Sequence, residues 1–362
     1  MSLFGSSSLS SSNNSDYTVP SPPDDGISSL SFNNAGNALI AGSWNNQVRC
    51  WEIQRSGNAV NAIPRGEMSH QAPVLTTSFN HDNTTVYSGG VDNMVKKWDL
   101  IGAGQPAVDI GKHDAPVRKV HWVQALSLVA SGSWDKTIKF WDTRAQQPAH
   151  TIQLSERVYE MDIRDNFMVV CTADKKTQVF DLANQCRLES LADSTLSYQT
   201  TSLAILTDCK GFATGSIEGR VAIDYFNEIP TATGQSRMSS ISGKKGFSFK
   251  CHRDAGTSKN PTVVHTINCI SMHRLGTFAT AGSDGLISFW DKDSKQRLKI
   301  FSKQNNSISA AMFSQDGTMY AYAVSYDWSQ GVHGATPQKP PPAIHIHSVE
   351  EVSIAPRDKS KK

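Results

Sequence analysis

From about residue 17 onward the chain is written in short runs of alternating apolar and polar residues separated by polar turns, and no stretch carries a helical period. VLTTSF (74–79), VRKVHW (117–122), INCISM (267–272) and ISAAMF (308–313) set β-branched and aromatic residues against small or polar ones, as half-buried strands do. After each run comes a small-residue stretch, a turn with an acid or amide, and another alternating run closed by an aromatic residue and an acid. The clearest copy is SGSWDKTIKFWD (131–142). Direct or nearly direct copies are AGSWNNQVRCWE (41–52), SGGVDNMVKKWD (88–99), VCTADKKTQVFD (170–181), TGSIEGRVAIDY (214–225) and TAGSDGLISFWD (280–291). A degenerate seventh surrounds AVSYDW, with its third strand deferred to AIHIHSV (343–349).

The turn position falls at Asn45, Asp92, Asp135, Asp174, Glu218, Asp284 and Asp327, with gaps of 47, 43, 39, 44, 66 and 43 residues. Five of these lie near the ~40–45-residue period of a four-stranded propeller blade. The fold expected is all-β, a seven-bladed WD-repeat β-propeller. YTVPSP (17–22) is an orphan extended segment and the last blade has little after its third strand, so the N-terminal strand is expected to close that blade and remove its open edge. Residues 1–16, rich in serine and asparagine, are expected to be disordered, 17–351 to form the single propeller, 227–246 to be a flexible insertion in blade five, and 352–362 to be a solvated basic tail.

The repeat also explains what would otherwise look catalytic. His70, Asp92 and Trp98 recur as His113, Asp135 and Trp141 and again as His252, Asp284 and Trp290. An aspartate in the turn, a tryptophan on the third strand and a histidine in the preceding loop can satisfy one another inside a blade. Recurrence in successive blades marks these sets as structural tetrads, because an active site occurs once.

Composition narrows the partners. With 362 residues, 38% hydrophobic, the chain can bury a sizeable core, and 35 basic against 33 acidic residues leave a formal charge of +2, so any basic site must be local. No run of about 18 apolar residues and no signal-peptide pattern is present, so the chain reads as soluble and intracellular. The six cysteines (Cys50, Cys171, Cys186, Cys209, Cys251, Cys269) are scattered and read as reduced packing residues. No GxSxG, HExxH or strand-to-helix GxGxxG occurs. His345 and His347 share a strand face without a third ligand, so neither a metal nor another cofactor is expected, and the chain reads as a platform and not an enzyme.

Two basic groups stand out. Arg220, Phe249, Trp290, Lys292, Lys295 and Arg297 fall at strand ends of blades five and six, where lysines and arginines for phosphates would lie beside aromatic faces for stacking; ordinary solvated loops explain them equally well. Lys136, Lys175 and Arg157 fall on the face carrying the turns, which suits an acidic peptide or is plain surface charge. WDTR (141–144) fits the box of ubiquitin-ligase substrate receptors over only four residues.

SWDKTIKFWDTR, LSERVYEMDI, GSIEGRVAIDYF, GFSFKCHR, AGSDGLISFWDKD and above all SYDWSQG resemble the messenger RNA export factor family of WD-repeat propellers at the nuclear pore, in the right order from Pro23 to Glu351. The resemblance implies a non-enzymatic adaptor in nuclear export of poly(A) mRNA. Its partner would be a Phe-Gly-repeat nucleoporin docked through an acidic GLEBS-type peptide, as a heterodimer. It also implies contact of Arg220, Phe249, Trp290, Lys292, Lys295 and Arg297 with single-stranded RNA, location at the nucleus and nuclear pore with shuttling to the cytoplasm, and links to the mitotic spindle and to checkpoint kinases carrying a similar motif. The alternative is a substrate receptor of a cullin-type ubiquitin ligase, motivated by Arg144.

Overall fold

The computed structural model describes residues 16–57, 59–100, 106–145, 147–230, 236–241, 246–256, 261–334 and 340–357. Seven antiparallel sheets follow one another along the chain, over 27–69, 74–112, 117–153, 158–193, 200–250, 267–300 and 308–348. The third is typical: Val117–Val123, Leu128–Ser133, Thr137–Trp141 and Pro148–Gln153 pair in sequence order. First strands of successive sheets pack against each other, and that of blade seven (Ile308–Phe313) packs against that of blade one (Ile27–Phe32), so the ring closes.

The position of each strand in its blade sets its burial. Second strands such as Thr85–Gly90, Gly211–Ser216 and Met319–Val324 are buried at every residue, because both faces are covered by neighbouring blades. The outermost strand Pro148–Gln153 is largely exposed. The repeated glycine near the end of the second strand answers a close approach. A Cβ at Gly89 would stand 2.5 Å from Val117 Cγ1, and one at Gly132 3.0 Å from Val158 Cγ1. Those valines begin the next blade and are fully buried, so the S-G motif lets each blade press on its neighbour.

Tyr17–Thr18 pairs with Ala343–Ser348 in register Tyr17↔Ile346 and Thr18↔His345, which makes the last sheet four-stranded, as expected. His347 Nδ1 lies 2.6 Å from Asp16 Oδ1, the Tyr322 hydroxyl donates to Asp16 Oδ2 at 2.5 Å, and His345 faces Thr18 Oγ1 at 3.1 Å. The histidine pair singled out in the sequence is therefore part of the closure.

Three boundaries differ from expectation. Of the expected disordered start, residues 1–15 lie outside the described residues, while Asp16 is bonded into blade seven. The expected flexible insertion continues the third strand of blade five, Arg220–Pro230, and returns as Ser236–Ile241 in antiparallel register; 231–235 and 242–245 lie outside the described residues. The expected solvated tail does not leave the fold at 352: Glu351–Ile354 forms a helical turn whose Ile354 is buried. Of the apolar residues in this turn only Ile354 is buried while Val352 is exposed, a distinction with no sequence signal.

Candidate peptide and nucleic-acid interfaces

Blade three shows what the tetrads are. The Trp141 indole N–H donates to Ser131 Oγ at 2.7 Å, Ser131 Oγ lies 2.7 Å from His113 Nε2, and His113 Nδ1 lies 2.8 Å from Asp135 Oδ2. Indole only donates and carboxylate only accepts, so with a neutral imidazole the chain is satisfied when Ser131 donates to Nε2 and Nδ1–H donates to Asp135. Blade six repeats it with Trp290, Thr280, His252 and Asp284 at 2.8, 2.9 and 2.8 Å. In blade two His70 joins Asp92 (2.9 Å) to Ser88 (2.7 Å). The hydroxyl members Ser88, Ser131 and Thr280 escaped the sequence reading, although each stands four residues before the turn acid.

Decayed blades show the consequence of losing members. Thr214 holds the hydroxyl position of blade five, but Asp224 replaces the tryptophan, and the buried Thr214 hydroxyl has no partner. Burial raises the Asp224 carboxyl above its ordinary value, opposed by a bond from Thr195. In blade one the Trp51 indole donates instead to Pro20 O at 2.8 Å, and Asn45 donates to Asp24 at 2.5 Å. All six cysteines are free, and burial pushes Cys50, Cys171 and Cys269 up to about 12.

The turn-bearing face holds a cavity of about 690 Å³ over the central channel, lined by Trp44, Trp134, Tyr159, Trp328, Arg118 and Asp327 among others. Trp44, Trp134 and Trp328 are 42%, 36% and 48% exposed, unusual for tryptophan. Asp327 fixes the last of these: it accepts from Asn268 (2.6 Å), Ser283 (2.5 Å) and the Ser329 N–H (3.2 Å), and Trp328 is held in the left-handed region at φ 60°. A bulky residue in that conformation is strained.

None of Lys136, Arg157 and Lys175 lines this cavity. Lys136 and Lys175 occupy left-handed turn positions (φ 68° and 61°) on its face. Glu156 takes both Lys136 Nζ (2.5 Å) and Arg157 Nε (3.4 Å), and Lys175 Nζ donates to Ser197 O. Arg157 also lies 5.9 Å from the Tyr159 ring. The charges are thus a partly neutralised rim, and the aromatic centre is what the sequence reading missed. Its signal was available: Trp44 and Trp134 immediately precede the turn residue and are extra to the tetrad tryptophans.

On the side of the ring, Phe249 and Trp290 meet across blades five and six with centroids 4.7 Å apart and, with Phe247, Phe278, Lys292 and Lys295, line a pocket of about 230 Å³. Lys295 Nζ stands 4.5 Å over Phe247 and the Arg297 guanidinium 5.9 Å over Trp290. Lys292 is nearly buried and paired with Asp293 at 3.0 Å; burial alone would lower its pKa, but Asp293 reverses this and raises it. Phe249, Trp290, Lys292, Lys295 and Arg297 are therefore one surface, in which Trp290 is also a tetrad member. Arg220 is not part of it. It pairs in register with Lys250 while its neighbour Val221 pairs with Phe249, so Arg220 takes the opposite face of the sheet, where it donates to Ser248 Oγ at 3.1 Å and meets Glu218. Arg144 is 86% exposed, with its guanidinium held by Asp142 at 2.8 and 2.7 Å.

Seven antiparallel blades, six of four strands and the fifth of five, hydroxyl-completed tetrads and a strand from the start of the chain closing the ring define a seven-bladed WD-repeat propeller. The WD domain, G-beta repeat family matches residues 13–52, 64–99, 104–142 and 258–291, which include the turn aspartates Asp92, Asp135 and Asp284. The solved WD40 beta propeller domain of Doa1 aligns with 94% of this chain and 98% of its own at TM-score 0.66 and 16% identity, a likeness of fold. The chain belongs to the messenger RNA export factor family. It is 42% identical to mRNA export factor GLE2 of Chaetomium thermophilum (96% of this chain, 94% of that one), 40% identical to the Poly(A)+ RNA export protein of Schizosaccharomyces pombe (99% of each), and 42% identical to the mRNA export factor of Xenopus tropicalis (99% and 96%). Among the described residues no helix is long and apolar enough to cross a membrane.

Proposed function

We propose that this protein is a non-enzymatic adaptor in nuclear export of poly(A) mRNA, working at the nuclear pore and shuttling to the cytoplasm. Near full-length identity of about 40% to export factors and an export protein carries the reading. A GLEBS-type acidic peptide of a Phe-Gly-repeat nucleoporin docks on the turn-bearing face, its apolar residues over Trp44, Trp134 and Trp328 and its acids at Lys136, Arg157 and Lys175. Single-stranded RNA uses the side surface of Phe249, Trp290, Lys292, Lys295 and Arg297; Arg220 contributes from the neighbouring sheet face only where the strand wraps the blade edge. The same peptide face serves checkpoint kinases with a similar motif and a role at the mitotic spindle.

Titration of the isolated protein with a GLEBS-type peptide tests the peptide half: tight binding weakened by charge reversal at Lys136 or Arg157 is expected, and no binding overturns it. Affinity purification from cells tests the whole, since a ligase adaptor lost with Arg144→Ala, in place of a pore protein, would favour the ubiquitin-ligase alternative.

A further inference from the structure

The ring has a second mouth, on the face opposite the turns. Each first strand starts beside the turn-bearing face and ends at the other one. In blade four Val158 pairs with Thr172, two residues before the turn Asp174, and Arg164 pairs with Phe167 at the far end. The far ends of the first strands of blades four to seven, Val158–Arg164, Thr200–Ile205, Ile267–Met272 and Ile308–Phe313, surround a cavity of about 390 Å³. Arg164, Thr207, Arg274 and Gln315, one from each blade, are part of its lining.

Other polar groups there are already spent. Asp162 accepts the backbone N–H groups of Ile163 (2.9 Å) and Ile205 (2.7 Å), Ser271 Oγ accepts that of Phe313 (2.9 Å), and the Ser314 hydroxyl donates to Asp316 (2.5 Å). What remains is a set of donors. Among the described residues the side chains of Arg164, Thr207 and Gln315 make no hydrogen bond, and Arg164 makes no ion pair. Asp165, next to Arg164, takes the Cys209 thiol instead at 3.1 Å. Arg274 is paired with Glu351, but both side chains are about half exposed, and an exposed pair is weak, so an entering anion displaces Glu351 at little cost.

We propose that this mouth binds a small soluble molecule carrying clustered phosphate groups. Arg164 and Arg274 supply guanidinium forks from two different blades, and the Thr207 hydroxyl and Gln315 amide add neutral donors between and beside them. A guanidinium matches two phosphate oxygens at once, which a lone surface lysine does not. The cavity has the volume of a small-molecule site. Asp162, the acid in the lining, has its charge shared between two backbone amides and keeps lone pairs that a ligand hydroxyl can fill. Glu351, carried on the docked turn Glu351–Ile354, is then a built-in competitor for Arg274.

Calorimetric titration of the full chain with inorganic pyrophosphate at neutral pH tests the site. Binding is expected, weakened roughly 10- to 100-fold by Arg164→Gln through loss of a charge-assisted fork, and by less in Thr207→Ala. Glu351→Gln should strengthen it roughly 2- to 5-fold by freeing Arg274. That variant discriminates best, since a gain of affinity cannot come from a damaged fold; an unchanged urea midpoint is the control for the other two. Absence of pyrophosphate binding overturns the site, including the case where phosphoinositide vesicles bind through Arg164 and the ligand is a lipid headgroup. Binding that Arg164→Gln leaves unchanged, or that Lys295→Ala abolishes, puts the anion elsewhere and overturns it too. Arg164→Gln that weakens an oligoadenylate while sparing pyrophosphate assigns the mouth to RNA and likewise overturns the proposal.

Discussion

Phe249 and Trp290 come from different blades and meet with ring centroids 4.7 Å apart, so that a tryptophan already bonded to Thr280 inside its own blade also forms a wall of a surface pocket. The pocket is thereby rigid on one side. Phe249→Ala, which leaves the tetrad intact, is expected to weaken oligoadenylate binding by roughly 1–3 kcal/mol, the worth of one stacked base. The Lys292, Lys295 and Arg297 triple substitution should lower the salt slope as well. Fluorescence anisotropy at several salt concentrations separates the two; RNA binding no weaker in the triple variant removes the groove assignment.

On the turn-bearing face, aromatic anchors and rim charges should behave differently. Trp134→Ala or Trp328→Ala should cost a docked GLEBS-type peptide about 2 kcal/mol or more, chiefly as faster dissociation. Charge reversal at Lys136 or Arg157 should act mainly on the association rate and its salt dependence. Surface plasmon resonance distinguishes these outcomes, and equal effects on dissociation would show that the tryptophans are not the anchors.

Ser131→Ala leaves both the Trp141 indole N–H and His113 Nε2 without their partner. Each group is buried, so the expected loss is about 1–3 kcal/mol, read as a lower urea midpoint. Thr214→Ala, at the same repeat position in blade five, removes a hydroxyl that has no partner and should cost little of this kind.

Acid titration should separate two classes of aspartate. Burial would raise the Asp135 carboxyl, but bonds from His113 and Thr137 outweigh it and hold it well below the ordinary value of 3.8, and Asp92 and Asp284 are likewise lowered. Their contribution is fully present above the unfolded value and is lost as pH falls through it toward the lower folded values. Asp224 has the opposite sign: its raised folded value makes it a liability once pH exceeds the unfolded value. Asp224→Asn should therefore raise the urea midpoint at pH 7 and Asp135→Asn lower it, and below pH 4 both differences should shrink. A neutral-pH loss of stability in Asp224→Asn would contradict this account.

By itself the sequence determined the seven blades, the closing strand and the His/Asp/Trp sets, because each is a local pattern repeated at a fixed spacing and every copy corroborates the others. It also determined that basic residues cluster near blades five and six. Tertiary structure decided what those residues can do together. Strand alternation and register put Phe249 and Trp290 in contact and sent Arg220 to the opposite side of the blade-five sheet, a separation that proximity in sequence cannot express. Closure of the ring brought Trp44, Trp134 and Trp328 from blades one, three and seven to one cavity, and the buried Ile354 fixed where residues 351–357 lie. These are contacts between distant segments, set by how blades pack on one another, and no local period records them.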